Sequence, residues 1–78
     1  MNYVATFYTH VSALITHRTM TERGIGAKMA PVPRQLSSSC GTCVRYTAEE
    51  PCYGLLDRDV EQVAEQTEDG FRILKKYE

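Results

Sequence analysis

Pro31 and Pro33, followed within a few residues by Ser37-Ser38-Ser39-Cys40-Gly41, break the chain close to its middle. Proline fixes φ and removes a ladder donor, so a strand that reaches Pro31 must stop there or lie at a sheet edge. Residues 33–42 therefore read as a loop. Whatever the chain folds into has to be built from short periodic segments on either side of that interruption.

Before the break, Tyr3 to Tyr8 is aromatic and β-branched enough for a strand, with Tyr3, Ala5 and Phe7 on one face and Val4, Thr6 and Tyr8 on the other. Thr9 suits a helix N-cap, and the spacing of Ala13, Leu14 and Met20 predicts a helix from His10 to about Arg23, with Gly24 as its stop. Residues 26–32 make a second strand. After the break, Cys43 to Thr47 reads as a third strand and Ala48 to Gly54 as its exit. Leu56, Val60, Val63, Ala64 and Thr67 then recur at helical spacing, with Glu61, Gln62, Glu65, Gln66 and Glu68 opposite them, which predicts a second helix over 57–69. Phe71 to Tyr77 alternates as a last strand whose lysines discourage edge pairing.

The order β-α-β-β-α-β predicts an α+β domain over residues 1–78, a ferredoxin-like four-stranded antiparallel sheet with two helices on one face. Leu14 is expected to pack on the sheet with Ala13, Met20, Val60, Val63 and Ala64. With right-handed crossovers the first two strands run parallel. The loop after the second strand then emerges beside Thr9 and His10, and Cys52 falls at the opposite end of the third strand.

Charge and length exclude several classes. A formal net charge of −1 gives no basic footprint for nucleic acid or an anionic membrane. No segment has the ~18 apolar residues of a membrane span, and the N-terminus lacks the pattern of a signal peptide. Three cysteines, an odd number without an export signal, argue against a secreted disulfide framework and for a reducing, cytoplasmic setting. A metal site from Cys40, Cys43, Cys52 and a histidine lacks the second cysteine pair and the usual histidine spacing, so neither a metal nor a cofactor is expected. Nor is there a paired-carboxylate, serine-triad or phosphate-loop pattern of a stand-alone enzyme.

Cys40 is the leading candidate for chemistry. Serines before it and Gly41 after it let the backbone turn tightly and aim N–H groups at the sulfur or at an anion beside it. A thiolate favoured in that way is nucleophilic at neutral pH. Arg34 is a candidate anion clamp, Ser38, Ser39 and Gly41 supply loop donors, and His10 is a candidate accessory group for deprotonation. Cys43 completes a Cys-Gly-Thr-Cys pattern, which redox proteins use, although a cysteine starting a strand is more simply a small buried side chain. His17 and Cys52 read as structural or incidental.

Phe7-Tyr8-Thr9-His10, Ala13-Leu14, Gly24-Ile25, Pro31-Val32-Pro33-Arg34 and Ser37-Ser38-Ser39-Cys40-Gly41 together resemble a small bacterial family, DUF3343, described as putative selenium/sulfur carrier proteins. The resemblance spans roughly the whole chain, and its specific part is the Pro-Arg-x-x-Ser-Ser-x-Cys-Gly stretch. It implies that Cys40 carries sulfur or selenium as a persulfide or selenosulfide. A donor such as a cysteine desulfurase would load it, and an acceptor protein would unload it. The chain departs from the family at Val32 and Thr42, and its Glu49-Glu50-Pro51-Cys52 exit is its own. Two other readings stay open at this point: a thiol-disulfide redox protein using Cys40 and Cys43, and a non-catalytic interaction module with an open sheet face.

Overall fold

The computed structural model describes residues 1–77; Glu78, the last residue of the expected domain, lies outside the described residues. Five strands and one helix follow each other as β1 (Asn2–Phe7), α1 (His10–Glu22), β2 (Gly26–Pro31), β3 (Thr42–Thr47), β4 (Val60–Thr67) and β5 (Gly70–Lys76), with a one-turn 3₁₀ segment at Tyr53–Leu55. They form one antiparallel sheet in the order β2-β3-β1-β4-β5. The fold is α+β as expected, but the four-stranded, two-helix ferredoxin-like arrangement is corrected to five strands and a single α-helix among the described residues.

The first half follows the sequence reading closely. Thr9 has extended backbone and its side chain accepts a hydrogen bond from the Ser12 N–H at 3.2 Å, which satisfies one of the orphan donors at the start of α1. Gly24 takes φ +77, the left-handed turn that ends a helix without a Cβ penalty. Both β1 and β2 run antiparallel to β3, which lies between them, so they are parallel to each other and α1 is their crossover. β2 ends at Pro31 and lies at the sheet edge, where a missing N–H costs nothing.

The second half departs from it. Residues 60–67, which carry the helical spacing and helix-favouring Glu and Gln, form β4 between β1 and β5. Helix propensity differs by only tenths of a kcal/mol per residue. A strand in that position instead gains a backbone ladder on both edges and buries Val60, Val63 and Ala64 from both faces of the sheet. Glu68 and Asp69 form the two-residue turn into β5. Gly70, at φ +133, is the residue without a Cβ that carries the chain out of this turn into β5.

The core has two sides. Tyr3, Ala5, Phe7, Val44, Tyr46, Val60 and Val63 face α1 and meet its Ala13 and Met20. Val4, Cys43 and Ala64 face the other way and are capped by Leu36 from the loop between β2 and β3. Leu14 does not pack; it is 47% exposed, like its neighbours Val11 and Ile15. The buried face of α1 is Ser12, Ala13, Thr16 and Met20. Its two hydroxyls are matched by the segment before β4: Ser12 Oγ donates to Asp57 Oδ2 at 2.8 Å and the Asp57 N–H donates to Thr16 Oγ1 at 2.9 Å. These buried polar pairs fix the rotation of α1, because leaving either hydroxyl unpaired inside would cost about 1–3 kcal/mol.

Candidate functional site

The loop from Val32 to Gly41 is closed at its neck, where the Val32 N–H donates to the Gly41 carbonyl at 3.2 Å and continues the β2–β3 ladder. Pro33 to Leu36 forms a turn, with the Leu36 N–H donating to the Pro33 carbonyl at 3.0 Å, and Leu36 plugs into the open face of the sheet. The return leg is pinned to strand ends. Ser38 Oγ donates to the Phe7 carbonyl at 3.2 Å, and Gln62 Nε2 donates to the Ser37 carbonyl at 2.8 Å. Gly41 has φ +75, a left-handed conformation that turns the chain from Cys40 into β3.

Cys40 is half-buried against the helix-side core, and its thiol donates to the Thr42 carbonyl at 3.4 Å. His10, the first residue of α1, has Nδ1 3.3 Å from Thr42 Oγ1. Thr42 thus joins Cys40 and His10, and the Cys40 loop lies at the edge where β1 passes into α1, as the topology argument required. The positive end of the α1 dipole faces that edge. Thr42 is the residue that ties the two together.

The remaining candidates separate. Arg34 is exposed in the Pro33–Leu36 turn, and the one side-chain ion pair among the described residues is Arg72 with Glu65. Ser38 spends its hydroxyl on the Phe7 carbonyl. Ser39 gives both its N–H and its hydroxyl to the Glu61 carboxylate. Cys43 is fully buried on the face opposite to α1, cross-strand from Thr6 and Ala30, with its thiol 3.6 Å from the Pro31 carbonyl. Burial pushes the Cys43 thiol up, Arg45 pulls it part of the way back and the nearby Cys40 adds a smaller upward push. Because residues of a strand alternate between faces, Cys43 points away from the side on which Cys40 packs.

Cys52 stands at the far end of β3, packed on the helix-side core near Tyr46. Its thiol is also pushed up, by burial first and by Glu50 second. A cleft of about 530 Å³ is at that far end too, on the open face among Asn2, Lys28, Arg45, Thr47 and Gln66, and Cys40 is not in its lining. His17 is turned to the Ala27 carbonyl at 3.2 Å, a structural contact.

Sequence reasoning missed Glu61, which it placed on a solvated helix face. No local signal marks it, because its position depends on a register shift: Thr6 pairs with Gln62 while Phe7 pairs with Val60, so Glu61 is the extra residue of a β-bulge.

The family model described as putative Se/S carrier protein-like matches residues 2–53, from the start of β1 through the Cys40 loop and β3 to Tyr53. The chain belongs to that family. No curated protein and no solved structure matches the chain. The matched residues include all three cysteines, and the segment that forms β4 and β5 lies beyond them.

Proposed function

We propose that the protein carries sulfur or selenium on Cys40 and passes it between a donor and an acceptor protein. The observation that carries this reading is the placement of Cys40 within the family-matched region. It is a half-buried thiol in a tight Ser-Gly loop at the N-terminal end of α1, whereas Cys43 is sealed in the opposite core face. In the loading step, the Cys40 thiolate attacks the outer sulfur of a donor persulfide, such as that of a cysteine desulfurase. The new S–S bond forms on Cys40 as the donor's S–S bond breaks, and the donor leaves as a thiolate. Gly41 and the loop amides shape the turn that holds the loaded atom, and the α1 dipole favours its negative charge. His10 assists deprotonation through its place beside Thr42, and Arg34 meets the donor or acceptor from the exposed turn. The setting is a reducing, cytoplasmic one, in which such thiols stay free.

The redox alternative loses support from the strand register, since a disulfide needs Cα atoms roughly 4.4–6.8 Å apart and Cβ vectors that converge. The test is intact mass after incubation with a cysteine desulfurase and cysteine. The native chain should gain about 32 Da per sulfur, Cys40→Ser should gain none, and Cys43→Ser should behave as native. Equal loss in Cys43→Ser would favour the paired-thiol reading, and no adduct on the native chain would end the carrier reading.

A further inference from the structure

The bulge at the start of β4 turns Glu61 out of the sheet and toward the residue just before Cys40. Its carboxylate takes the Ser39 N–H at 3.2 Å on Oε1 and 3.3 Å on Oε2, and the Ser39 hydroxyl at 2.9 Å on Oε2. Two donors of one residue therefore already grip the two oxygens of one anion. Bulges re-aim single side chains and are over-represented beside functional sites. Ser39 is exposed and Glu61 half-buried, so the grip is open to exchange. Next to it is a cleft of about 200 Å³ lined by Tyr8, Ser37, Glu61, Gln62, Lys76 and Tyr77, which brings a cation to the same place.

We propose that the Ser39 amide and hydroxyl form a binding site for a sulfur or selenium oxyanion, and that the Glu61 carboxylate is its displaceable internal occupant. The choice of sulfur and selenium rests on the carrier reading; the oxyanion chemistry rests on the carboxylate already bound. A pyramidal or tetrahedral oxyanion presents two oxygens to the same two donors, and Lys76 lies beside the cleft it would enter through. While Glu61 is seated it holds the loop and keeps a negative charge next to the Cys40 segment. Once it is displaced, the anion stands beside Cys40 in its place. Glu61 is thus a positioning residue, supplied by a part of the chain beyond the family-matched residues.

Sulfate, an unreactive oxyanion, is the probe. It is titrated into ¹⁵N-labelled native protein, Glu61→Ala and Glu61→Gln at ionic strength held constant with chloride. In Glu61→Ala the Ser39 amide resonance should move saturably, with affinity at least about tenfold above native, the scale of a hydrogen bond to a charged group. Glu61→Gln keeps the side-chain volume without the charge and should gain roughly threefold, so the proposal remains testable if the alanine variant unfolds. Adding Ser39→Ala to either variant should remove most of the gain, while iodoacetamide should label Cys40 faster in Glu61→Ala and be slowed again by sulfate. Equal sulfate affinity in native and both Glu61 variants, or shifts spread over the lysines and arginines without Ser39, would overturn the proposal. The outcomes separate from those of the carrier reading. Sulfate binding without a desulfurase adduct leaves the anion site standing and the carrier wrong, and an adduct with no effect at Ser39 does the reverse.

Discussion

The two ends of β3 each turn the backbone through the left-handed region beside a cysteine, but they do so with different residues. At one end Gly41 takes φ +75 and leaves Cys40 outside the turn; at the other Cys52 itself takes φ 57. The first arrangement puts the conformational burden on a residue without a Cβ and frees the thiol for chemistry. The second spends the cysteine on the turn, where burial and Glu50 push its thiol up. The ends also differ in company. Cys40 shares Thr42 with the start of α1 and follows the Ser39–Glu61 grip. Cys52 lies by Tyr46 and Tyr3, whose rings stack with centroids 5.3 Å apart. Two cysteines flanking one strand thus differ in surroundings because of what the neighbouring elements deliver to each end.

The largest expected effect lies at the Cys52 end. The Tyr46 hydroxyl donates to the Pro51 carbonyl, and burial, assisted by Cys52 and neighbouring tyrosines, pushes the phenol well above its usual range. Tyr46→Phe leaves that carbonyl without its partner and should cost roughly 1–3 kcal/mol at neutral pH in urea denaturation. The sign with pH follows. The folded state holds the phenolic proton more tightly than the unfolded chain, where it leaves near pH ~10. Stability from Tyr46 is therefore complete below about pH 10 and falls as pH rises further, and Tyr46→Phe should flatten that fall. Tyr3 and Tyr77, also pushed up by burial, will keep part of it. An unchanged alkaline slope in the variant would show that Tyr46 ionises without cost.

A smaller effect is expected at the Cys40 end. An alanine Cβ at position 41 would meet nothing within 4 Å, so Gly41→Ala is penalised by backbone conformation alone. That penalty is about 1–2 kcal/mol. Denaturation should show it, and the heteronuclear spectrum should place the disturbance in residues 32–42 rather than around Tyr46. The smallest effect is the reciprocal change. Cys52→Gly relieves the left-handed turn but loosens the unfolded chain and gives up the thiol's packing, so its net effect on stability should stay within about 0.5 kcal/mol. A loss above about 2 kcal/mol would mean that Cys52 is held by its contacts and that the two turns are not equivalent in kind.

Local chemistry made much of this molecule readable in advance. The Thr9 cap, the Gly24 stop, the alternation of Tyr3, Ala5 and Phe7 against Val4 and Thr6, and the prolines that confine β2 to an edge all act within a few residues of themselves. The same holds for the Cys40 loop, whose Ser-Gly composition and flanking prolines mark it before any fold is known, and whose place beside His10 follows from two strands and their crossover. The segment from Val60 to Thr67 was not readable in that way. Its side chains fit a helical period, and its partners, β1 and the chain beyond the Glu68-Asp69 turn, become available only when the sheet forms.

From that one decision the unforeseen parts of the site follow. β4 as a strand brings Asp57 under α1, turns Leu14 outward, and through its bulge sends Glu61 to Ser39. Where the chain bends, which residues alternate and which thiol sits in a Ser- and Gly-rich loop could be read from the sequence, because those properties depend on backbone sterics and near neighbours. The state of residues 60–67, the opposite faces of Cys40 and Cys43, and the carboxylate that holds the loop were settled by long-range packing. Ladder hydrogen bonds and two-sided burial come from residues far away in sequence, and together they outweigh the tenths of a kcal/mol by which a single residue prefers one conformation.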